Sequence, residues 1–189
     1  GYVLGTFLAI EGAFDHAINT ALNNTSLDKS TINWIIEKIT SRNITINHKN
    51  VTRTFNPRRG CPQGGVLSPF LWNLVVDSLL NNTANKMPGY TQAFADDLVV
   101  LAEGQDLDII TQRTQKTVNT IEHWCNQMGL TISALKTKVL LFTWKRTTTL
   151  PKSININNQP INLSETVKYL GITLDNKLNY NHHITNISN

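Results

Sequence analysis

Two apolar runs, Tyr90–Phe94 and 98–101, are separated only by Ala95-Asp96-Asp97. A gap that short leaves no room for a crossover, so the two runs must pair antiparallel around a tight turn. Such a hairpin excludes a purely helical bundle. Its irregular mixture with helix signals also excludes a strict strand–helix repeat. Leu71, Leu74, Val75 and Leu79 recur at helical spacing after Ser68 and Pro69, which read as N-cap and first helical residue. Val118, Ile121, Cys125 and Met128 mark a second long helix, which Gly129 can end in the left-handed conformation. The expected fold class is α+β. Strands near 3–9, 90–95, 98–102 and 139–142 form an antiparallel sheet, and helices over 69–83 and 108–128 cover its back. With 189 residues, 40% of them hydrophobic, the chain suffices for about one domain with a real core.

Other segments are equally legible. Ala13, Ala17, Ile18, Ala21 and Leu22 repeat at helical spacing after the first strand, which is expected to end at Glu11-Gly12. Asp28 or Ser30 caps a helix with Ile32, Ile35, Ile36 and Ile39 on one face. Ile44-Thr45-Ile46 and Val51-Thr52-Arg53-Thr54-Phe55 alternate as a hairpin. Ile154 and Ile156, then Ile161 and Leu163, flank a turn at Asn157-Asn158, and the run 167–174 is a strand broken at Gly171. The polar tail after Tyr180 begins a further element. The two cysteines, Cys61 and Cys125, lack Cys-x-x-Cys spacing, which argues against a disulfide framework or a cysteine zinc site. No apolar stretch reaches the ~18–20 residues of a membrane span, and no signal peptide is seen, so an intracellular location, cytoplasm or nucleus, is expected. The formal charge of +4 permits a polyanionic partner without requiring one.

Two constellations can carry chemistry. Asp96 and Asp97 are adjacent acids bracketed by Phe94 and the apolar run that follows. Neighbours that apolar draw at least one carboxylate towards a partly buried site. There a divalent cation relieves the repulsion, since Mg²⁺ is held by one or two carboxylates plus substrate phosphates. A solvated turn is the plain alternative, because Asp is a good turn residue. The loop Asn56-Pro57-Arg58-Arg59-Gly60-Cys61-Pro62-Gln63-Gly64-Gly65 offers backbone N–H groups, two guanidinium groups and the Gln63 amide. It leads into the amino end of the Ser68-Pro69 helix, which favours anions. The plain alternative there is an ordinary connection.

Arg59-Gly60-Cys61-Pro62-Gln63-Gly64-Gly65-Val66-Leu67-Ser68-Pro69 resembles the B motif of reverse transcriptases from non-LTR retrotransposons of the jockey type. Phe94-Ala95-Asp96-Asp97 resembles their C motif, and Leu8-Ala9-Ile10-Glu11-Gly12-Ala13-Phe14-Asp15 their A motif. Leu130 to Phe142, with Lys136-Thr137-Lys138, resembles the D motif, and Val167-Lys168-Tyr169-Leu170-Gly171-Ile172-Thr173-Leu174-Asp175 the E motif. All five occur in order along nearly the whole chain. The resemblance implies a right-hand polymerase palm with part of the fingers. Residues 1–16 and 67–142 would be palm, 17–66 a finger-side insertion, and 143–189 the primer-grip hairpin and start of the thumb. It also implies DNA synthesis on an RNA template from a DNA primer and deoxynucleoside triphosphates, with two Mg²⁺ ions. Carried over by position, Asp96 and Asp97 would be catalytic, metal-binding acids. Lys136 would be the lysine near the leaving phosphates, and Phe14 the aromatic gate beneath the nucleotide sugar. Gln63 and Gly64 would contact nucleotide and template, and Tyr169, Leu170 and Gly171 would grip the primer. Phe14 as a core aromatic and Lys136 as a solvated lysine are the alternatives.

One departure matters. The family's A motif carries a metal-binding Asp at the position of Ala9, and a methyl group ligates nothing. Asp15 reads as a structural acid near the helix start. Glu11 would share the face of Ala9 only if the strand ran on past it. The expectation is a polymerase-folded chain with a weakened two-metal site and little activity. The alternatives are a template- and primer-binding remnant, or a small Mg²⁺-dependent phosphotransferase or nuclease.

Overall fold

The computed structural model describes residues 1–12, 14–56, 65–84, 89–145 and 150–188, and for 12 and 14–17 the backbone alone. In chain order the first elements are β1 (Tyr2–Gly12), α1 (Phe14–Asn23), α2 (Lys29–Thr40), β2 (Ile44–His48), β3 (Val51–Phe55) and α3 (Ser68–Ala84). There follow β4 (Tyr90–Phe94), β5 (Asp97–Gly104), α4 (Leu107–Met128), β6 (Leu130–Ile132) and β7 (Lys138–Phe142). The last are β8 (Ile154–Ile156), β9 (Gln159–Ile161), β10 (Thr166–Tyr169), β11 (Ile172–Asp175) and α5 (Asn181–Ile187).

The main sheet is antiparallel throughout, as expected. β4 pairs β5, β5 pairs β1, and β1 pairs β7 along its first half and β6 along its second. β1 is the central strand, and its two faces differ. Leu4, Leu8 and Ile10 point into the larger core beneath α3 and α4, with Leu71, Val75, Leu79, Ile110, Val118 and Ile121. Each fully buried aliphatic side chain there contributes roughly 1.5–3 kcal/mol. Phe7 faces the other way into a smaller core with Val99, Leu140 and Val167. The β10–β11 hairpin covers part of that second face, and the Tyr169 ring meets Phe7 edge-on at 5.3 Å. Gly5 lies there too. A Cβ on it would meet the Phe142, Phe7 and Leu101 side chains at 3.0–3.3 Å, so the missing side chain is what lets them close over β1.

The caps follow the sequence with two adjustments. Asp28 is the cap of α2, accepting from the Thr31 N–H at 3.0 Å, and Gly129 ends α4 at φ 69. α3 starts at Ser68 itself, because the Leu67 carbonyl already accepts from the Leu71 N–H. Leu67 therefore takes the cap position expected of Ser68. β1 closes at Gly12, and its paired length exceeds the 3–9 span expected for the sheet. It runs that far because β6 supplies a partner for Ile10, Glu11 and Gly12.

β8 and β9 turn at Asn157 and Asn158, both at positive φ, as a two-residue hairpin of twisted strands requires. Ile154 and Ile156 are fully buried, and Gln115 of α4 bonds the Asn155 backbone through both ends of its amide. Every residue of β2 and β3 is exposed. At the close of β11, Asp175 accepts from the N–H groups of Lys177, Asn179 and Tyr180. Burial raises its carboxyl pKa, but these bonds and nearby His182 outweigh that and hold it below the ordinary range. They organise a loop in which Leu178 and Tyr180 both sit at positive φ. No helix among the described residues is long and apolar enough to cross a membrane.

Candidate active site

The hairpin tip and the end of β1 meet. Ala9 stands directly across from Asp97 in the β1–β5 ladder, and Phe94 lies across from Asp97 on the other side. The turn itself is Ala95 and Asp96, with Ala95 at φ 50, so Asp97 is already the first residue of β5. Three hydrogen bonds to backbone carbonyls fix this corner. The Ile10 N–H donates to the Asp96 carbonyl at 3.0 Å, and the Ser133 N–H donates to the Ala9 carbonyl at 2.9 Å. From behind, the buried Trp72 of α3 donates its indole N–H to the Ala95 carbonyl. Buried tryptophan needs an acceptor for that proton, and here the acceptor is the turn that carries the two acids.

Asp96 is exposed and Asp97 half-buried. Burial, then the charge of Asp96, hold the Asp97 carboxyl above its ordinary range. Thr137, itself buried, donates its N–H and its hydroxyl to the Ser133 carbonyl and so closes the loop that presents Lys136. The Lys136 ammonium lies 2.6 Å from a Glu11 carboxylate oxygen. Each holds the other ionised: Lys136 lowers the Glu11 carboxyl, and Glu11, with Asp96 further off, raises the Lys136 ammonium. A cleft of about 280 Å³ opens over this corner, lined by Ala9, Asp97, Lys136, Lys138, Lys168 and Tyr169 among others. The Tyr169 hydroxyl is buried there without a hydrogen-bond partner among the described residues.

Of the residues singled out from the sequence, Asp96, Asp97, Lys136 and Tyr169 come together at this corner with Ala9. Phe14 opens α1, but its side chain lies outside the described residues, as do Gln63 and Gly64. The sequence reading passed over Trp72. The signal was present, a tryptophan one position off the apolar stripe of α3, but nothing local names its acceptor. The Glu11–Lys136 pair was also missed, because it depends on β1 running past Glu11.

The donor set can be weighed against a divalent cation. Asp96 and Asp97 offer adjacent carboxylates whose mutual repulsion a cation would relieve. Opposite them is the methyl of Ala9, and Glu11 is engaged by Lys136. Among the described residues no three Asp, Glu, His or Cys side chains gather to hold a metal. Among the described residues the corner thus offers two adjacent carboxylates and no third acid across the ladder from them.

Comparison with known proteins agrees with this architecture. The family model "Reverse transcriptase (RNA-dependent DNA polymerase)" matches residues 1–174. The chain is 27% identical over 190 residues to the putative 115 kDa protein in type-1 retrotransposable element R1DM of Drosophila melanogaster, covering 98% of this chain and 18% of that protein. It is also 27% identical over 194 residues to the RNA-directed DNA polymerase from mobile element jockey of the same fly, covering 98% of this chain and 21% of that protein. The chain thus spans about a fifth of the length of these relatives. Among solved structures it resembles an apo telomerase from Candida tropicalis truncated from its C-terminal domain. That match has a TM-score of 0.64 at 10% identity, over 92% of this chain and 34% of the other. At that identity the likeness is one of fold, and it agrees with the polymerase palm expected from the motifs. The chain belongs to the reverse transcriptase (RNA-dependent DNA polymerase) family.

Proposed function

We propose that this chain is the palm-centred part of an RNA-directed DNA polymerase of a non-LTR retrotransposon, and that as it stands it polymerises poorly or not at all. The observation that carries the reading is the placement of Ala9 opposite Asp97, at the corner where the two acids and Lys136 converge. In this reading 1–16 and 67–142 are palm, 17–66 belongs to the fingers, and 143–189 is the primer-grip hairpin leading into the thumb. The partners are an RNA template, a DNA primer and deoxynucleoside triphosphates. Phe14 gates the sugar, and Gln63 and Gly64 touch the incoming nucleotide and template, by their match to the family motifs.

Asp96 and Asp97 would hold a divalent cation, Mg²⁺ by the chemistry of the donor set. When bound it would supply charge stabilisation to the transferring phosphoryl group. The chain's own residues divide the remaining work. The turn held by Trp72 and Ile10 orients the two carboxylates. Lys136, kept charged by Glu11, offers an ammonium beside the phosphates. Tyr169 and the β10–β11 hairpin form the wall against which a primer end would lie. A palm without its third carboxylate retains surface for template and primer, which is the second reading: a binding remnant. The three lysines that line the cleft favour it.

Primer extension on an RNA template tests the proposal. It is run on the chain itself and on the chain embedded in the flanking sequence of its jockey relative, each with Ala9 and with Ala9→Asp. The expected result is extension by the embedded Ala9→Asp form, roughly a thousandfold faster than by its Ala9 counterpart (about 4 kcal/mol). Equal, robust extension by both forms would overturn the claim of inactivity. Mg²⁺-dependent cleavage of nucleic acid without copying would point instead to a nuclease.

A further inference from the structure

Lys136 lines the cleft over the acid corner, yet its ammonium is already engaged. It lies 2.6 Å from a carboxylate oxygen of Glu11, which is not itself part of the cleft wall. Glu11 gets there because β1 runs on as a strand. Side chains two apart on a strand share a face. Glu11 therefore stands on the face of Phe7 and Ala9, while Leu8 and Ile10 turn into the larger core. The loop that carries Lys136 joins β6 to β7, and both of those strands pair with β1. Ser133 and Thr137 close that loop through the Ser133 carbonyl, and the Ser133 N–H ties it to the Ala9 carbonyl. Lys136 and, to a smaller degree, the Ser133 hydroxyl hold the Glu11 carboxyl below its ordinary range.

An ammonium bonded to one carboxylate is not free for a second anion. Phosphates seated over Asp96 and Asp97 must compete with Glu11 for it. The pair is exposed on both sides, and such a pair contributes little to folding and is readily exchanged. We propose that Glu11 is a positioning residue that parks the Lys136 ammonium at the rim of the cleft, and that the triphosphate of an incoming nucleotide draws it off Glu11 on binding. The inference rests on the polymerase reading above and adds to it a competitor for the phosphates that the chain itself supplies.

The test is binding of deoxythymidine triphosphate with Mg²⁺ to the chain held on an RNA–DNA hybrid whose templating base is adenine. NMR of the Lys136 and Thr137 amides follows it. The full chain is compared with E11Q, K136Q, E11Q/K136Q and E103Q. Glu103 is an exposed acid paired with Val3, and Val3 lies about 27 Å along β1 from Glu11. E11Q should bind about two- to fivefold tighter than the parent, the range over which an exposed pair acts. K136Q should bind more weakly, and E103Q as the parent does. In the double variant the gain from E11Q should vanish. A gain that survives without Lys136 is relief of charge repulsion alone and overturns the proposal. Unchanged or weaker binding by E11Q overturns it too, as does K136Q binding as tightly as the parent. Each of these leaves the polymerase reading standing, because the parent still binds the triphosphate. Matching thermal midpoints show that folding is intact. Absence of triphosphate binding in every form overturns the nucleotide reading of this corner and the proposal with it.

Discussion

A methyl group at position 9 leaves Asp97 facing Asp96 with no cation-binding partner across the ladder. In the folded chain, burial and then Asp96 keep the Asp97 carboxyl above its ordinary range. An acid whose folded pKa is raised binds its proton more tightly in the native state. Its contribution to stability is therefore fully present below the unfolded value of about 3.9 and is lost as pH rises through the folded value. Asp97→Asn removes that pH-dependent penalty. It is expected to raise the melting midpoint by about 1–3 °C at pH 7, with the gap closing towards pH 3.5. Thermal melts across that range check it, and a lower midpoint for the Asn variant at pH 7 would contradict the repulsion. The neighbouring Glu11–Lys136 pair has the opposite character, since each group favours the charged form of the other. Being exposed, it matters for where Lys136 points more than for stability.

Among elements, α3 acts on the candidate site without contributing a reacting group. Its Trp72 indole ties the Ala95 carbonyl at the tip between β4 and β5, while Leu71, Val75 and Leu79 anchor the helix in the core. Trp72→Phe keeps an aromatic body and removes the donor, leaving a carbonyl unpaired at the turn. The expected loss is about 1–3 kcal/mol in urea denaturation. Loss of stability no greater than that of an exposed substitution would show that the turn holds its shape unaided. The long apolar stripe of α4 and its glycine stop were plain in the sequence, because a buried helix face repeats within its own segment. The extension of β1 through Gly12 was not. A strand end is decided by whether another strand is available to pair, and β6 comes from far along the chain.

On the scale of the whole molecule, β1 is the hub. It is paired on both edges and packed on both faces, whereas β2 and β3 pair only with each other and are exposed throughout. Native-state amide exchange should therefore be slowest in β1 and β5 and faster in the β2–β3 hairpin by at least roughly a hundredfold. Comparable protection in both would mean that the hairpin packs on something else in solution. What the sequence determined by itself was everything written in local periods and short motifs. That includes the helices over α3 and α4, the antiparallel hairpin around Asp96, and the family. Tertiary structure alone decided that Ala9 faces Asp97, that Glu11 reaches Lys136, and that Trp72 holds the turn. The physical reason is that a side chain's partner across a sheet or a helix–sheet interface depends on register and packing between distant segments. That information belongs to the pairing of strands and not to either strand's own residues.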